Sequence, residues 1–293
     1  MNAPRKAAVA ALLAGATAIG LAPIFVRLSE TGSTATAFWR VLLSVPFLGV
    51  WMRLEGKQRQ PNLSRGGFDW RMLWPGFLFA GDLAVWHVSI YWTSVANATL
   101  LANAAPIFVA VAAWLWLRER LRWTFAIGLV VALGGAVLVM RASFAISAQH
   151  FRGDLLGVAT ALFYAGYQLS VKRLRATHPT GTIMFWSALV SAVALLPLSL
   201  ALGETVMPTA ARGWSVLLAL ALVSHVVGQG LIAWALAHGP ASASSVSLFW
   251  QPVVSASVAW VVFGETMHAT QAAGAVVVLV GIYLAWRGSR GAE

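Results

Sequence analysis

The chain reads as an all-α integral membrane protein with ten transmembrane helices in two five-helix repeats of inverted topology. Three observations predict this. Of its 293 residues, 59% are hydrophobic and only 10% charged, and a mean hydropathy of +0.77 lies well above that of soluble domains. Counting apolar stretches of about 18 to 23 residues yields ten candidate spans. Finally, residues 101–140 recur about 146 positions later as residues 247–286, with about a third of the paired positions identical. Pro106, Trp114, Glu119, Gly128 and Gly135 match Pro252, Trp260, Glu265, Gly274 and Gly281. The net charge of +11 sits in short connections rather than in a basic stripe with interleaved aromatics, which excludes a nucleic-acid partner. With no Cys, disulfide and thiolate chemistry are excluded as well.

The first span covers residues 7–28. Arg5 and Lys6 ahead of an apolar run suggest a signal peptide, but the run is too long for one. It also aligns with the sixth span at the repeat offset, setting Gly20 over Gly166 and Arg27 over Arg173. Spans two to five follow at 35–52, 72–92, 96–117 and 123–140, with a solvated Pro-, Gly- and Asn-containing loop at 53–71. Spans six to ten lie at 153–171, 180–202, 213–236, 241–263 and 270–286. The first repeat is therefore placed at 1–141 and the second at 153–287, joined by a polar linker at 142–152.

Orientation follows from Lys and Arg, which are retained on the cytoplasmic side of the spans they flank. Alternating the connections puts about fifteen cations on one side, from Arg5 and Lys6 through Arg53, Arg118 and Lys172 to Arg287 and Arg290. About four, Arg27, Arg141, Arg152 and Arg212, fall on the other. Both termini are expected in the cytoplasm of a bacterial-type inner membrane. Five spans per repeat is an odd number, so the second repeat enters the bilayer inverted. Such a pair lets each half adopt the other's conformation, exchanging outward-open and inward-open cavities around a midplane site.

The pairing of a mid-helix Pro with a Glu 13 residues later, Pro106 to Glu119 and Pro252 to Glu265, occurs together with Arg40 in the run Phe38-Trp39-Arg40. This pattern resembles the drug/metabolite transporter superfamily, specifically its ten-helix EamA-type exporters and their amino-acid exporter branch. The resemblance covers essentially the whole chain. It implies a secondary transporter that moves amino acids and other small metabolites, often outward and without ATP. It further implies a cavity lined mainly by the first, third, fourth, sixth, eighth and ninth helices, and no particular substrate. One departure is that Trp186 or Ser187 stands where the second repeat would match Arg40, so this Arg serves one half only.

Asp82 is the acidic residue deep inside an apolar span, where an ionisable group is costly and must face the bundle or a cavity. Two readings stand. It is a proton-coupling or cation-recognition site, or it pairs structurally with Arg40, whose depth differs by about 6 Å at 1.5 Å per residue. Trp86, one turn on, either lines the cavity or packs between helices, and His87 lies on an adjacent strip with Tyr91. Tyr164, Tyr167 and Gln168 form one polar strip on the sixth helix. His225 and Gln229 form another on the eighth, and Ser247, Trp250 and Gln251 precede Pro252 on the ninth. Interhelical hydrogen bonding explains any one of these, whereas three neighbouring strips point to a substrate-lining set.

Pro106 and Pro252 each remove a backbone donor in mid-span and read as hinges. They free carbonyls at Ala102 and Leu248, near Asn103 and Gln251. Glu119 and Glu265 fall at helix ends followed by Thr124 and Thr270. Thr there caps a helix, and a carboxylate near a helix N-terminus is stabilised by its free N–H groups, so both Glu read as structural fasteners.

The chain has no HExxH, no GxSxG, no GK[ST] phosphate loop and no carboxylate cluster for a metal. Neither an enzyme nor a cofactor or metal site is expected, and an ATP-driven pump would need a nucleotide domain. The expected partners are a small-molecule substrate and the bilayer; the oligomeric state is open, a monomer being compatible. The leading reading is export of amino acids or similar metabolites by alternating access, secondary active or facilitative. The competing reading is efflux of organic cations or drugs, with aromatic rings around the ligand and Asp82 as counter-charge.

Overall fold

The computed structural model describes residues 3–57, 67–90, 92–93, 95–140, 151–264 and 268–289. The linker at 142–150, Tyr91, Glu265 and the side chain of His87 lie outside the described residues. Every regular element among the described residues is a helix. Among the described residues, seven helical runs are long and apolar enough to cross a membrane: Lys6–Leu28, Ser33–Lys57, Trp123–Met140, Thr180–Ala201, Ala211–Leu236, Ala241–Phe263 and Ala269–Gly288.

Several of these runs are composite. α1 (Ala3–Gly20) and α2 (Ala22–Leu28) meet at Leu21, and α3 (Ser33–Leu42) and α4 (Val45–Lys57) at Leu43 and Ser44. α5 (Leu73–Ile90) is continuous, whereas α6 (Val95–Ala102) and α7 (Ala105–Trp116) are separated by Asn103 and Ala104. α8 (Trp123–Met140), α9 (Phe151–Leu174) and α10 (Thr180–Ala201) follow. α11 (Ala211–Ala219) continues through a π-helical segment, Leu220–Gln229, into α12 (Gly230–Leu236). α13 (Ala241–Val246), a 3₁₀ turn at Ser247–Phe249 and α14 (Trp250–Phe263) make the next run, and α15 (Ala269–Gly288) the last.

Proline accounts for the breaks. Pro23 and Pro106 occupy the first turn of α2 and α7, and Pro46 and Pro252 the first turn of α4 and α14. A Pro N–H is missing there at no cost, because a helix start has no intrahelical acceptor for it. Pro106 thus stands where a helix restarts after Asn103 and Ala104, and Pro252 just after the 3₁₀ turn of an uninterrupted helical run.

α8 and α15, the last helices of the two copies of the repeated segment, pack backbone to backbone. A Cβ at Gly128 would collide with Ala285 and Gly281, and one at Gly135 with Val278 and Gly274. Positions rising along α8 meet positions falling along α15, so the two helices run antiparallel. The repeated glycines thus face each other, letting two helix backbones approach closely.

The second constraint is a set of carboxylates that close helix N-termini across the two halves. Glu55 at the end of α4 accepts from the Gly181 N–H at 2.5 Å, in the first turn of α10. Glu204, just beyond α10, accepts from the Thr34 and Ala35 N–H groups at 3.2 and 2.7 Å, at the start of α3. α3–α4 and α10 are therefore clasped at both ends. Glu30 accepts from the N–H groups of Thr209 and Ala210 at 3.0 and 3.1 Å, ahead of α11; these bonds hold its carboxyl below the usual range. Thr93 donates to Asp154 at 2.7 Å. Asp69 takes a bidentate guanidinium from Arg71, which holds its carboxyl down to about 2, and lies 3.6 Å from His178.

Glu119 closes a helix start too, but not that of the helix following it. It accepts from the N–H groups of Ala241 and Ser242 at 2.7 and 3.3 Å and from the Ser242 hydroxyl at 2.5 Å, at the start of α13. From the other side Lys172 donates to the Leu236 and Gly239 carbonyls at 2.7 and 2.6 Å. The α12–α13 turn is held by both. At α15 the cap is His268, in a capping box with Gln271, rather than Thr270.

Replacing Gly281 by Leu should force α8 and α15 apart and cost about 1–3 kcal/mol by overpacking. Leu at Gly134, which has nothing within 4 Å, should leave the melting temperature in detergent unchanged. Glu204→Ala should lower thermal stability by about 0.5–2 kcal/mol, the range for a lost helix cap. Equal melting of that variant and the native protein would show the clasp to be idle.

Candidate functional site

A cavity of about 700 Å³ opens among α1–α2, α3, α5, α6, α9, the π segment and α14. Its mouth is formed by Arg27 near the end of α2, Met140 at the end of α8, Trp260 of α14 and Gln271 of α15. Arg27 stacks over the Phe263 ring, 4.0 Å from its centroid. Deeper in lie Arg40, Phe79, Asp82, Trp86, Asn103, Tyr164, Gln229 and Gln251.

Arg40 sits in the last turn of α3, where the helix break leaves unpaired carbonyls that favour a cation. The break exists because Pro46 cannot bond back into the preceding turn, and Ser44 turns its hydroxyl onto the Val41 carbonyl at 2.6 Å. The guanidinium is 5.7 Å from the Phe79 ring centroid, a cation–π distance. Phe79 in turn packs on Tyr167 at 4.9 Å and His225 at 5.3 Å between ring centroids. Although Arg40 and Asp82 face the same cavity, no direct ion pair joins them among the described residues. The structural Arg40–Asp82 pair allowed by their depths is therefore not formed, and Arg40, read only as structural, lines the cavity.

Asp82, Trp86, Asn103, Tyr164, Gln229 and Gln251 are brought together on the cavity wall, as is Pro252. Asn103 donates to the Thr99 carbonyl at 2.8 Å, closing the end of α6. The remaining members of the expected set are elsewhere. Tyr167 lies behind the wall, stacked on Tyr164 with centroids 5.9 Å apart and directed at the Met184 sulfur. Gln168 and His225 are also fully enclosed behind it. Trp250 points outward from the cavity, its indole N–H donating to the Thr17 hydroxyl at 3.0 Å. Pro106 is buried and does not reach the cavity.

The π segment explains one of these departures. Its i→i+5 bonding turns the chain less per residue than an α-helix. His225 and Gln229, which α-helical spacing puts on one strip, diverge: Gln229 enters the cavity while His225 packs on Phe79. Thr36, Thr99, Thr160 and Ser255 also line the wall and went unremarked, because an isolated hydroxyl in an apolar span usually bonds to its own helix. The signal for Arg40 was present, since a cation inside an apolar span marks a functional site by default.

Several enclosed polar atoms on the wall have no protein partner: Nε and Nη2 of Arg40, the Tyr164 hydroxyl, Oε1 of Gln229 and Nε2 of Gln251. Leaving such groups unpaired costs about 1–3 kcal/mol each, so polar groups are gathered at this wall beyond what bonds within the protein use. It offers guanidinium donors, one carboxylate, three amides and aromatic faces. That set suits a small molecule carrying both signs of charge.

Comparison with known proteins agrees with this architecture. The EamA-like transporter family matches residues 6–141 and 151–287. The chain is 29% identical over 244 residues to the pseudopaline exporter of Pseudomonas aeruginosa, covering 83% of this chain and 82% of that one. It is 28% identical over 216 residues to a probable terminal-alkyne amino-acid exporter of Streptantibioticus cattleyicolor, 70% of each. With a riboflavin transporter of Vibrio cholerae it shares 25% over 256 residues, covering 85% and 81%. A protein crystal structure superposes with a TM-score of 0.81 at 18% identity over 98% of this chain and 99% of that one, so the fold is shared.

Because the chain has no native Cys, the cavity can be mapped directly. Single cysteines at Ala256 and Ala102 should react with a water-soluble maleimide in the native protein, and cysteines at Ala165 and Ala233 should not. Equal labelling at all four positions would contradict the wall described above.

Proposed function

We propose, since the chain belongs to the EamA-like transporter family, that this multi-pass membrane transporter exports amino acids or similarly small zwitterionic metabolites by alternating access. It is a transporter rather than an enzyme, as the family and the exporters among its relatives indicate. The observation that carries the substrate reading is the cavity in which Arg40 and Asp82 face the same space without pairing. Arg40 would take the substrate carboxylate with its guanidinium, and Asp82 the ammonium. Tyr164, Gln229 and Gln251 would satisfy the remaining polar atoms, and Trp86 and Phe79 would hold the apolar part. A relative named as an amino-acid exporter supports this choice. Efflux of organic cations is disfavoured, because Arg40 places a permanent positive charge in the same cavity.

For the machinery, we favour ten crossings in two inverted repeats, 1–141 and 153–287, with both termini cytoplasmic. Each of the ten apolar stretches falls on a helical run. The antiparallel contact of the equivalent helices α8 and α15 and the reciprocal carboxylate caps at the equivalent starts of α3 and α10 support opposite orientation of the halves. In that frame the mouth at Arg27, Met140 and Gln271 faces outward, and the α12–α13 turn held by Glu119 and Lys172 closes the cytoplasmic end.

The reading is tested by counterflow in proteoliposomes with a panel of labelled amino acids and organic cations. Amino acids should exchange. Arg40→Met should reduce that exchange by at least about tenfold, as expected for a lost charge-assisted hydrogen bond of about 1.5–3 kcal/mol, and Arg40→Lys should retain part of it. Exchange of cations but of no amino acid would overturn the substrate assignment.

A further inference from the structure

We propose that Asp82 is the proton-carrying group of this transporter, so that each substrate molecule leaving is exchanged for one proton entering. The inference rests on the amino-acid reading above and names its coupling ion. It begins from how the acidic residues are used. Glu30, Glu55, Asp69, Glu119, Asp154 and Glu204 are each held by hydrogen bonds from backbone, hydroxyl or guanidinium donors. Asp82 is the exception among the described carboxylates: it lines the cavity in the middle of α5 with neither a hydrogen bond nor an ion pair.

The charged and titratable groups around it come from three elements. α3 brings Arg40, α9 brings Tyr164 and, behind the wall, Tyr167, and the π segment brings His225 behind Phe79. Among the described residues α6 brings Thr99 and Ala102, and Asn103 follows it, none of them titratable. Among the described residues the other full charge on the inner wall is thus Arg40, with Arg27 at the mouth, and an Arg cannot release its proton. In the empty site Arg40 has the Phe79 face beside it but no bonded partner for Nε and Nη2. An ionised Asp82 likewise has no donor and no direct ion pair among the described residues, and of the two charges only Asp82 can lose its own by exchanging a proton.

With a zwitterion bound, both charges are matched. After it leaves, the empty site must close and reopen on the other side, and an unpaired carboxylate shut away from water is strongly disfavoured. A proton taken from the side to which the site is open removes that charge and turns one Asp82 oxygen into an O–H donor. On the other side the ammonium of the next substrate favours the carboxylate again, and the proton is released to water there. No bond other than O–H forms or breaks. Because a zwitterion is neutral, each cycle moves one positive charge opposite to the substrate, so transport is also driven by a membrane potential.

The test uses purified protein in proteoliposomes enclosing a pH-sensitive dye, with an equimolar mixture of the common L-amino acids as probe. Adding the mixture outside should alkalinise the lumen, and a lumen one pH unit more acidic than the medium should raise accumulation of label by about tenfold at one proton per substrate. Asp82→Asn should abolish both responses, and Asp82→Glu should restore proton movement with a displaced pH profile. Label exchange by the native protein with neither a pH change nor a response to the gradient overturns the proposal, whatever the variants do. Gradient-driven accumulation by the Asn variant overturns it as well. Proton movement evoked by tetraphenylphosphonium but by no amino acid supports Asp82 as the carrier and overturns the amino-acid reading instead.

Discussion

The arrangement of this protein depends on carboxylates that close helix N-termini belonging to the other half of the chain. A helix start presents several N–H groups without acceptors, and in an apolar medium each is expensive to leave unpaired. Glu55 and Glu204 satisfy the starts of α10 and α3 reciprocally, so that two antiparallel runs are clasped at both ends. Glu119 does the same for α13. The two halves have few charges to spend, and four of the seven described acids, Glu30, Glu55, Glu119 and Glu204, are spent in this way. The unsupported Asp82 is conspicuous because of that pattern.

Between the clasped ends, close packing is achieved with small residues. The glycines of α8 and α15 bring two backbones together where lipid supplies no hydrophobic drive for association. Elsewhere prolines interrupt the runs, and two of the interruptions border the cavity: Leu21 is flanked by the lining residues Gly20 and Ala22, and Asn103 itself lines it. Irregular backbone at membrane depth is tolerated where it borders a cavity or is buried in protein. The breaks and the cavity are thus two sides of one solution.

Much of this was legible in the chain. Apolar length and the internal repeat located the helical runs, with 123–140 matching α8 end to end. Of the expected wall residues Asp82, Trp86, Asn103, Tyr164, Gln229 and Gln251 reach the cavity, because polarity inside an apolar run has to be explained by a cavity or a partner. Tyr167, Gln168, His225 and Trp250 do not, and nothing local distinguishes them from those that do. Helical spacing gives the face only relative to an unknown axis, and the π segment changes that spacing within α11–α12. The partner of Glu119 could not be read either, since its capped helix begins 122 residues away.

The sequence by itself determined the compartment, the helical runs, the duplication and the identity of the few polar groups placed at depth. These follow from composition and local spacing, which the bilayer constrains strongly. Only the tertiary structure decided which face of each helix meets the cavity, which helix start each carboxylate closes, and that Arg40 and Asp82 confront one space without touching. Those depend on crossing positions, helix breaks and the phase of one π segment, all set by contacts between residues far apart in the chain.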